Sequence, residues 1–171
     1  MSQPMDSYDA FLSHAWGPDT HERDNHATVA RVCAGLQARG LTVWFDAQQM
    51  HDSIAQQMVQ GIDAAAVMVT FLTQAYCEKV NASQVNNCQR EWDYAVLKRK
   101  PMAAVPMEDA LLQPQNWPGV VAAELGDRLF EASFAPSASA SDAAFAQQIE
   151  KLAAWIKRLA PKRPEPVGRD F

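Results

Sequence analysis

Cysteine is scarce in this chain. Cys33, Cys77 and Cys88 are the only three among 171 residues, an odd number with no CxxC spacing. That leaves no basis for a disulfide framework or a zinc knuckle and fits a reduced, intracellular, cytoplasmic setting. An excess of positive charge is also missing. Fifteen Lys and Arg stand against twenty Asp and Glu, a formal net charge of -5. Nucleic acid as a main partner wants a basic face, and so does an anionic membrane surface, so neither is expected. No run approaches the about 18 apolar residues that span a bilayer. The opening Met1-Ser2-Gln3-Pro4-Met5-Asp6 lacks the basic and apolar stretches of a secretory leader, so none is expected there. No GxGxxG follows the first apolar run and no GxxxxGK[ST] occurs, which argues against a dinucleotide dehydrogenase and a P-loop NTPase. GxSxG is absent too, which removes the nucleophile elbow. His21 and His26 flank Glu22, but their spacing is one residue longer than HExxH. On a helix those two positions face different ways, so a solvated loop is expected there and no metal site.

What is present is a strand and helix pattern sized for one domain, with 48% apolar residues. Tyr8-Asp9-Ala10-Phe11-Leu12-Ser13 reads as a strand, and residues 14–24 as a polar loop broken by Gly17-Pro18. Residues 27–39 read as a helix with Val29, Val32, Cys33 and Leu36 inward and Gly40 as its terminator. Leu41-Thr42-Val43-Trp44-Phe45 reads as a second strand, with Trp44 and Phe45 as core residues. Residues 46–52 read as a polar loop, and Ser53 is placed to cap a helix with Ile54, Met58 and Ile62 inward. Residues 66–72 form a third, almost wholly apolar strand, as a central parallel strand should be.

Residues 73–86 read as polar and irregular. A helix then runs to Lys100-Pro101, followed by the strand Met102-Ala103-Ala104-Val105-Pro106 and a short edge strand over residues 127–130. Residues 135–141 look like a small-residue linker. Phe145, Ile149, Leu152, Ile156 and Leu159 mark a last helix, and the three prolines after residue 160 mark a disordered tail. The division expected is an N-terminal extension over 1–6, a domain over 7–160 and the tail over 161–171. Alternating strands and helices predict a parallel sheet with helices on both faces. Its ligand crevice lies at the carboxyl ends of the strands, here Ser13-His14, Asp46, Thr73 and the loop before the helix at 87.

That helix carries the main candidate. Cys88, Trp92, Ala95 and Val96 fall on one face, and Glu91 lies at its edge. A carboxylate held there is partly desolvated, a setting in which carboxyl groups are tuned for chemistry, although a surface pairing with Arg90 or Arg99 is the plainer alternative. Ser13 and His14 end a strand where ligands bind in this architecture; a turn with hydroxyl-to-backbone bonds is the alternative. Asp46 suits an Asx turn or cap as well as a site. Cys88 reads as a small buried hydrophobe rather than a nucleophile.

Five blocks in order resemble a Toll/interleukin-1 receptor (TIR) domain. Tyr8-Asp9-Ala10-Phe11-Leu12-Ser13-His14 resembles the family's opening YDxFISH, and Gly40-Leu41-Thr42-Val43-Trp44-Phe45-Asp46 its second strand. Residues 50–62 resemble the BB loop and the helix after it. Residues 66–73 with Tyr76 resemble the third strand and its exit, and Cys88-Gln89-Arg90-Glu91-Trp92 the CxxE segment of TIR domains that cleave NAD. The fold implied is a flavodoxin-like five-stranded parallel sheet with helices on both faces.

The resemblance implies one of two functions. One is an NAD+ glycohydrolase or cyclase of immune or cell-death type signalling, with NAD+ as substrate and no cofactor. Glu91 is then the catalytic residue, and Ser13, His14, Ala15, Asp46, Ser53, Thr73, Tyr76, Asn87 and Cys88 bind substrate. Such an enzyme is expected to be active as a homo-oligomer, its site completed by a neighbour's BB loop. The other is a non-catalytic scaffold that binds other TIR domains. Two positions depart from the pattern. Asn87 stands where catalytic members often carry a Trp that stacks on a substrate ring, leaving Trp92, Tyr76 or Trp16 to supply that contact. Ser53 stands where the BB loop often has Gly.

Overall fold

The computed structural model describes residues 7–45 and 54–161. In chain order β1 (Tyr8–Ser13), α1 (Asn25–Ala38), β2 (Val43–Trp44), α2 (Ile54–Ala64), β3 (Ala65–Leu72), α3 (Gln74–Val80), α4 (Asn87–Leu97) and β4 (Met102–Pro106) build the sheet and its first helices. Two 3-10 turns, Asp109–Leu112 and Pro114–Asn116, lead to α5 (Gly119–Leu125), α6 (Pro136–Ser139) and α7 (Asp142–Leu159). The four strands are parallel in the order β2-β1-β3-β4. The chain reverses direction across the sheet between β1 and β3, which is where open sheets of this kind hold ligands.

Strand alternation sorts the side chains into two cores. Ala10 and Leu12 of β1, Val67, Val69 and Phe71 of β3, and Ala103 and Val105 of β4 pack with α1 and α7. Phe11, Met68, Leu72, Met102 and Ala104 point the other way, onto Ile62, Tyr76, Trp92 and Val121. β3 is covered on both faces, and so its sequence is apolar nearly throughout. α1 starts where the Asp24 carboxylate accepts the Ala27 N–H, two residues before the expected Ala27. It stops at Gly40, whose φ of +87° suits glycine, while Gly40 N and Leu41 N donate to Gln37 O and Leu36 O.

Several expectations are corrected. Among the described residues the sheet has four strands, and residues 127–130 are not one of them. Burying a large apolar side chain contributes about 1.5–3 kcal/mol, and Leu129 is 86% exposed, so that run gains little from docking on the sheet. The outer edge of β4 is met further along the chain, where Ser133 Oγ and Phe134 N both donate to Pro106 O. Residues 73–86 are not irregular, since α3 forms there under a Thr73 cap with Tyr76, Cys77 and Val80 inward. Residues 135–141 contain the short helix α6, and β2 is only two residues long. Asp46 and Ser53, with the rest of the expected BB loop up to Ser53, lie outside the described residues, as do residues 1–6 and 162–171. No helix among the described residues is long and apolar enough to cross a membrane.

Candidate functional site

β1 ends at the crevice, and its last residues diverge. Ser13 shares the face of Phe11 and is fully buried toward α3 and α4. Three local choices bring its partners to it. The Thr73 hydroxyl accepts the Tyr76 N–H at 3.0 Å, starting α3 so that Tyr76 turns inward. The Asn86 side chain accepts the Gln89 N–H at 2.9 Å and starts α4. Burial of Cys88, Trp92 and Ala95 then leaves Glu91 half-buried at the edge of that helix face.

The Ser13 hydroxyl donates to Glu91 Oε1 at 2.6 Å, and Ser13 Oγ lies 2.8 Å from the Tyr76 hydroxyl. A serine has one hydrogen to give, so the tyrosine donates in the second bond. Burial, then the Cys88 thiol and the Glu91 carboxylate, push the Tyr76 phenol well above its usual range, so it stays a donor. Cys88 Sγ donates to His14 O at 3.6 Å. Burial and then Glu91 push that thiol up to about 12, so Cys88 is no thiolate nucleophile near neutral pH.

His14 turns to the opposite side, onto α1. Its Nε2 lies 2.8 Å from His26 Nδ1. Burial, then the neighbouring His26, hold His14 down to about 4. Trp16 stacks on His26 with ring centroids 3.6 Å apart, and His26 stacks on Phe45 at 5.0 Å. Asn25 pins the backbone on both sides of Trp16: its Nδ2 donates to Ala15 O at 2.8 Å and its N–H to Gly17 O at 3.0 Å. Its Oδ1 is buried with no hydrogen-bond partner among the described residues.

The loop after β1 is tied down further out. Glu108, at the end of β4 and 2% exposed, accepts the Thr20 N–H on Oε2 and the Gln74 N–H on Oε1, both at 2.7 Å. Arg23 donates to Asp19, Met107 O and Phe134 O. His21 Nε2 accepts the Asp109 N–H at 3.2 Å.

Of the residues singled out from the sequence, Ser13, His14, Tyr76, Cys88 and Glu91 come together through these bonds. Ala15 is buried in the core and offers its carbonyl to Asn25. The Thr73 hydroxyl serves α3 as a cap, and Asn87 is exposed on the first turn of α4. Asp46 and Ser53 lie outside the described residues. His26 and Glu108 are the partners that sequence reasoning missed. His26 is no loop residue, because α1 already begins at Asn25. An earlier helix start at the Asp24 cap was the available signal. Glu108, a lone carboxylate just past a buried strand, carried none.

The chemical capacity of this arrangement is a carboxylate oriented by one hydroxyl at a strand end, with a stack of aromatic rings on the side of the chain that faces α1. Comparison with known families bears on it. A search of curated proteins finds no match. The family model of the TIR domain matches residues 11–152, well over half of the chain, a span containing Ser13, Tyr76 and Glu91. The chain therefore belongs to the TIR-domain family, a family of signalling domains whose members commonly associate with other TIR domains.

Proposed function

We propose that this TIR domain cleaves the nicotinamide–ribose bond of NAD+. The observation that carries the reading is the 2.6 Å bond from Ser13 Oγ to Glu91 Oε1 at the carboxyl end of β1. A carboxylate used in catalysis must be held in one orientation, and here a buried hydroxyl, itself fixed by Tyr76, supports it. The bond to be broken joins ribose C1′ to a cationic pyridinium nitrogen. Its electron pair leaves with neutral nicotinamide, so no general acid is needed. Positive charge develops at C1′, and Glu91 stabilises it or accepts a hydrogen bond from a ribose hydroxyl. Water adding to C1′ with loss of a proton gives ADP-ribose. An adenine nitrogen of the same molecule gives a cyclic ADP-ribose instead. Activity belongs to an assembly of TIR domains, in line with the family's habit of association.

The second reading, a scaffold that works by TIR–TIR association alone, is favoured by one observation. Asn87 is exposed where catalytic relatives often carry an aromatic ring. One experiment separates the two. Concentrated protein, free and clustered on beads, is given NAD+ and the products are resolved by chromatography, with Glu91→Ala beside the wild type. The expected result is nicotinamide release by wild type, reduced at least about a hundredfold in a folded Glu91→Ala, the scale for losing an electrostatic stabiliser. No release by wild type in either format leaves the scaffold.

A further inference from the structure

Trp92 and Tyr76 are 2% and 0% exposed, each packed in the core between the sheet and its helices, so neither offers a face to a ligand. Trp16 is half-buried at the carboxyl end of β1. We propose that Trp16, backed by His26, is a stacking platform for the planar heteroaromatic base of a nucleotide whose sugar lies toward Glu91. This inference rests on the proposed NAD+ reading for its sugar end and sharpens it at the base end.

Three features support it. The first is ring geometry. Trp16, His26, Phe45 and His14 lie within 15–30° of parallel in every pair that touches. Elsewhere among the described residues, Phe134 with Phe145 is tilted at 51° and Tyr8 with Trp44 at 88°. Phe11 and Trp44 are parallel too, but their centroids are 6.3 Å apart. A 3.6 Å stack with one indole as its end member is the form into which another flat ring fits.

The second feature is position. Trp16 is three residues past Ser13, so their Cα atoms are at most about 11 Å apart. That is a span one nucleoside covers, and the crevice between β1 and β3 is where this sheet order binds ligands. The third is rigidity. Asn25 holds the carbonyls on both sides of Trp16, so the indole is set on fixed backbone. The negative face of an indole also attracts a cationic ring, which favours the pyridinium end of NAD+.

The test is binding followed separately from turnover. The 171-residue chain carrying Glu91→Gln, with 15N-labelled indoles, is titrated with NAD+, nicotinamide mononucleotide and AMP. The Trp16 signal is assigned by its loss in Trp16→Phe. We expect that signal to move on titration, Trp16→Ala to weaken binding by roughly 5- to 100-fold, and Trp16→Phe to keep most of it. Should Trp16→Ala fail to fold, the indole shift and the Trp16→Phe titration still decide.

If wild type cleaves NAD+ while Trp16→Ala binds and cleaves equally well and the indole signal stays put, the platform is wrong and the NAD+ reading stands. If no nicotinamide is released yet a nucleotide moves the Trp16 signal and Trp16→Ala loses it, the platform stands and the cleavage reading falls. If no nucleotide binds and none is cleaved, both fall.

Discussion

Ser13, the last residue of β1, and His14, the residue after it, open onto two different kinds of surface. On the Ser13 side, Tyr76, Ser13 and Glu91 form a short chain of hydrogen bonds, buried at one end and half-open at the other. On the His14 side, His14, His26, Trp16 and Phe45 form a pile of flat rings with one hydrogen bond inside it. The first surface is specific through direction, since a hydroxyl and a carboxylate must meet at one distance and angle. The second is specific through flatness and tolerates sliding. The first surface suits a polar group held in one direction, the second a flat ring, and they lie on opposite sides of the chain where β1 ends.

The contrast can be broken from either side. The largest expected stability effect is on the aromatic side and depends on acid. His14 has its pKa lowered from 6.5 to about 4, so the unfolded chain takes up a proton that the folded chain refuses. Stability is therefore full above pH 6.5 and falls as pH drops toward 4, by about 3 kcal/mol in total from this group. Urea unfolding at pH 7 and pH 4.5 measures it. In His14→Gln the loss between those two values should shrink, and an unchanged loss would remove His14 as the cause.

On the hydrogen-bonded side, Ser13→Ala takes away the acceptor of the buried Tyr76 hydroxyl. It should cost about 1–3 kcal/mol in the same unfolding assay. Adding Tyr76→Phe should recover much of that cost, because both partners are then gone. Failure of the second substitution to recover anything would mean that the Tyr76–Ser13 bond contributes little. The smallest effect sharpens how Glu91 is presented. Asn86→Ala removes the cap of α4 and should cost about 1 kcal/mol, lowering the melting temperature without abolishing the fold.

Much of this was legible in the chain. The limits of β4 follow from an apolar run ending at a proline. The stripe on α7 repeats at helical spacing, and Phe145, Ile149, Leu152 and Ile156 are buried. Ser13 and Glu91 were each singled out by ordered motifs, but the bond between them, across 78 residues of sequence, came only from the structure. α3 escaped notice because seven residues offer too little periodicity, and its start depends on a single threonine. The short edge strand expected over 127–130 is absent, and four residues are too few for pattern to tell strand from loop. The His14–His26 contact stayed hidden because it depends on where α1 begins, and helix ends are the part of a helix that periodicity defines least.

Glu108 has a consequence for how a ligand would be received. One buried carboxylate takes a backbone N–H from the loop after β1 and another from the start of α3. That loop is thereby tied to β4 and α3 by bonds within the fold itself. A ligand received at Trp16, as proposed, would meet a loop already tied down, so that little further entropy would be lost in arranging it. Association there should then be fast and limited by encounter, with any slow closing step left to other segments of the chain.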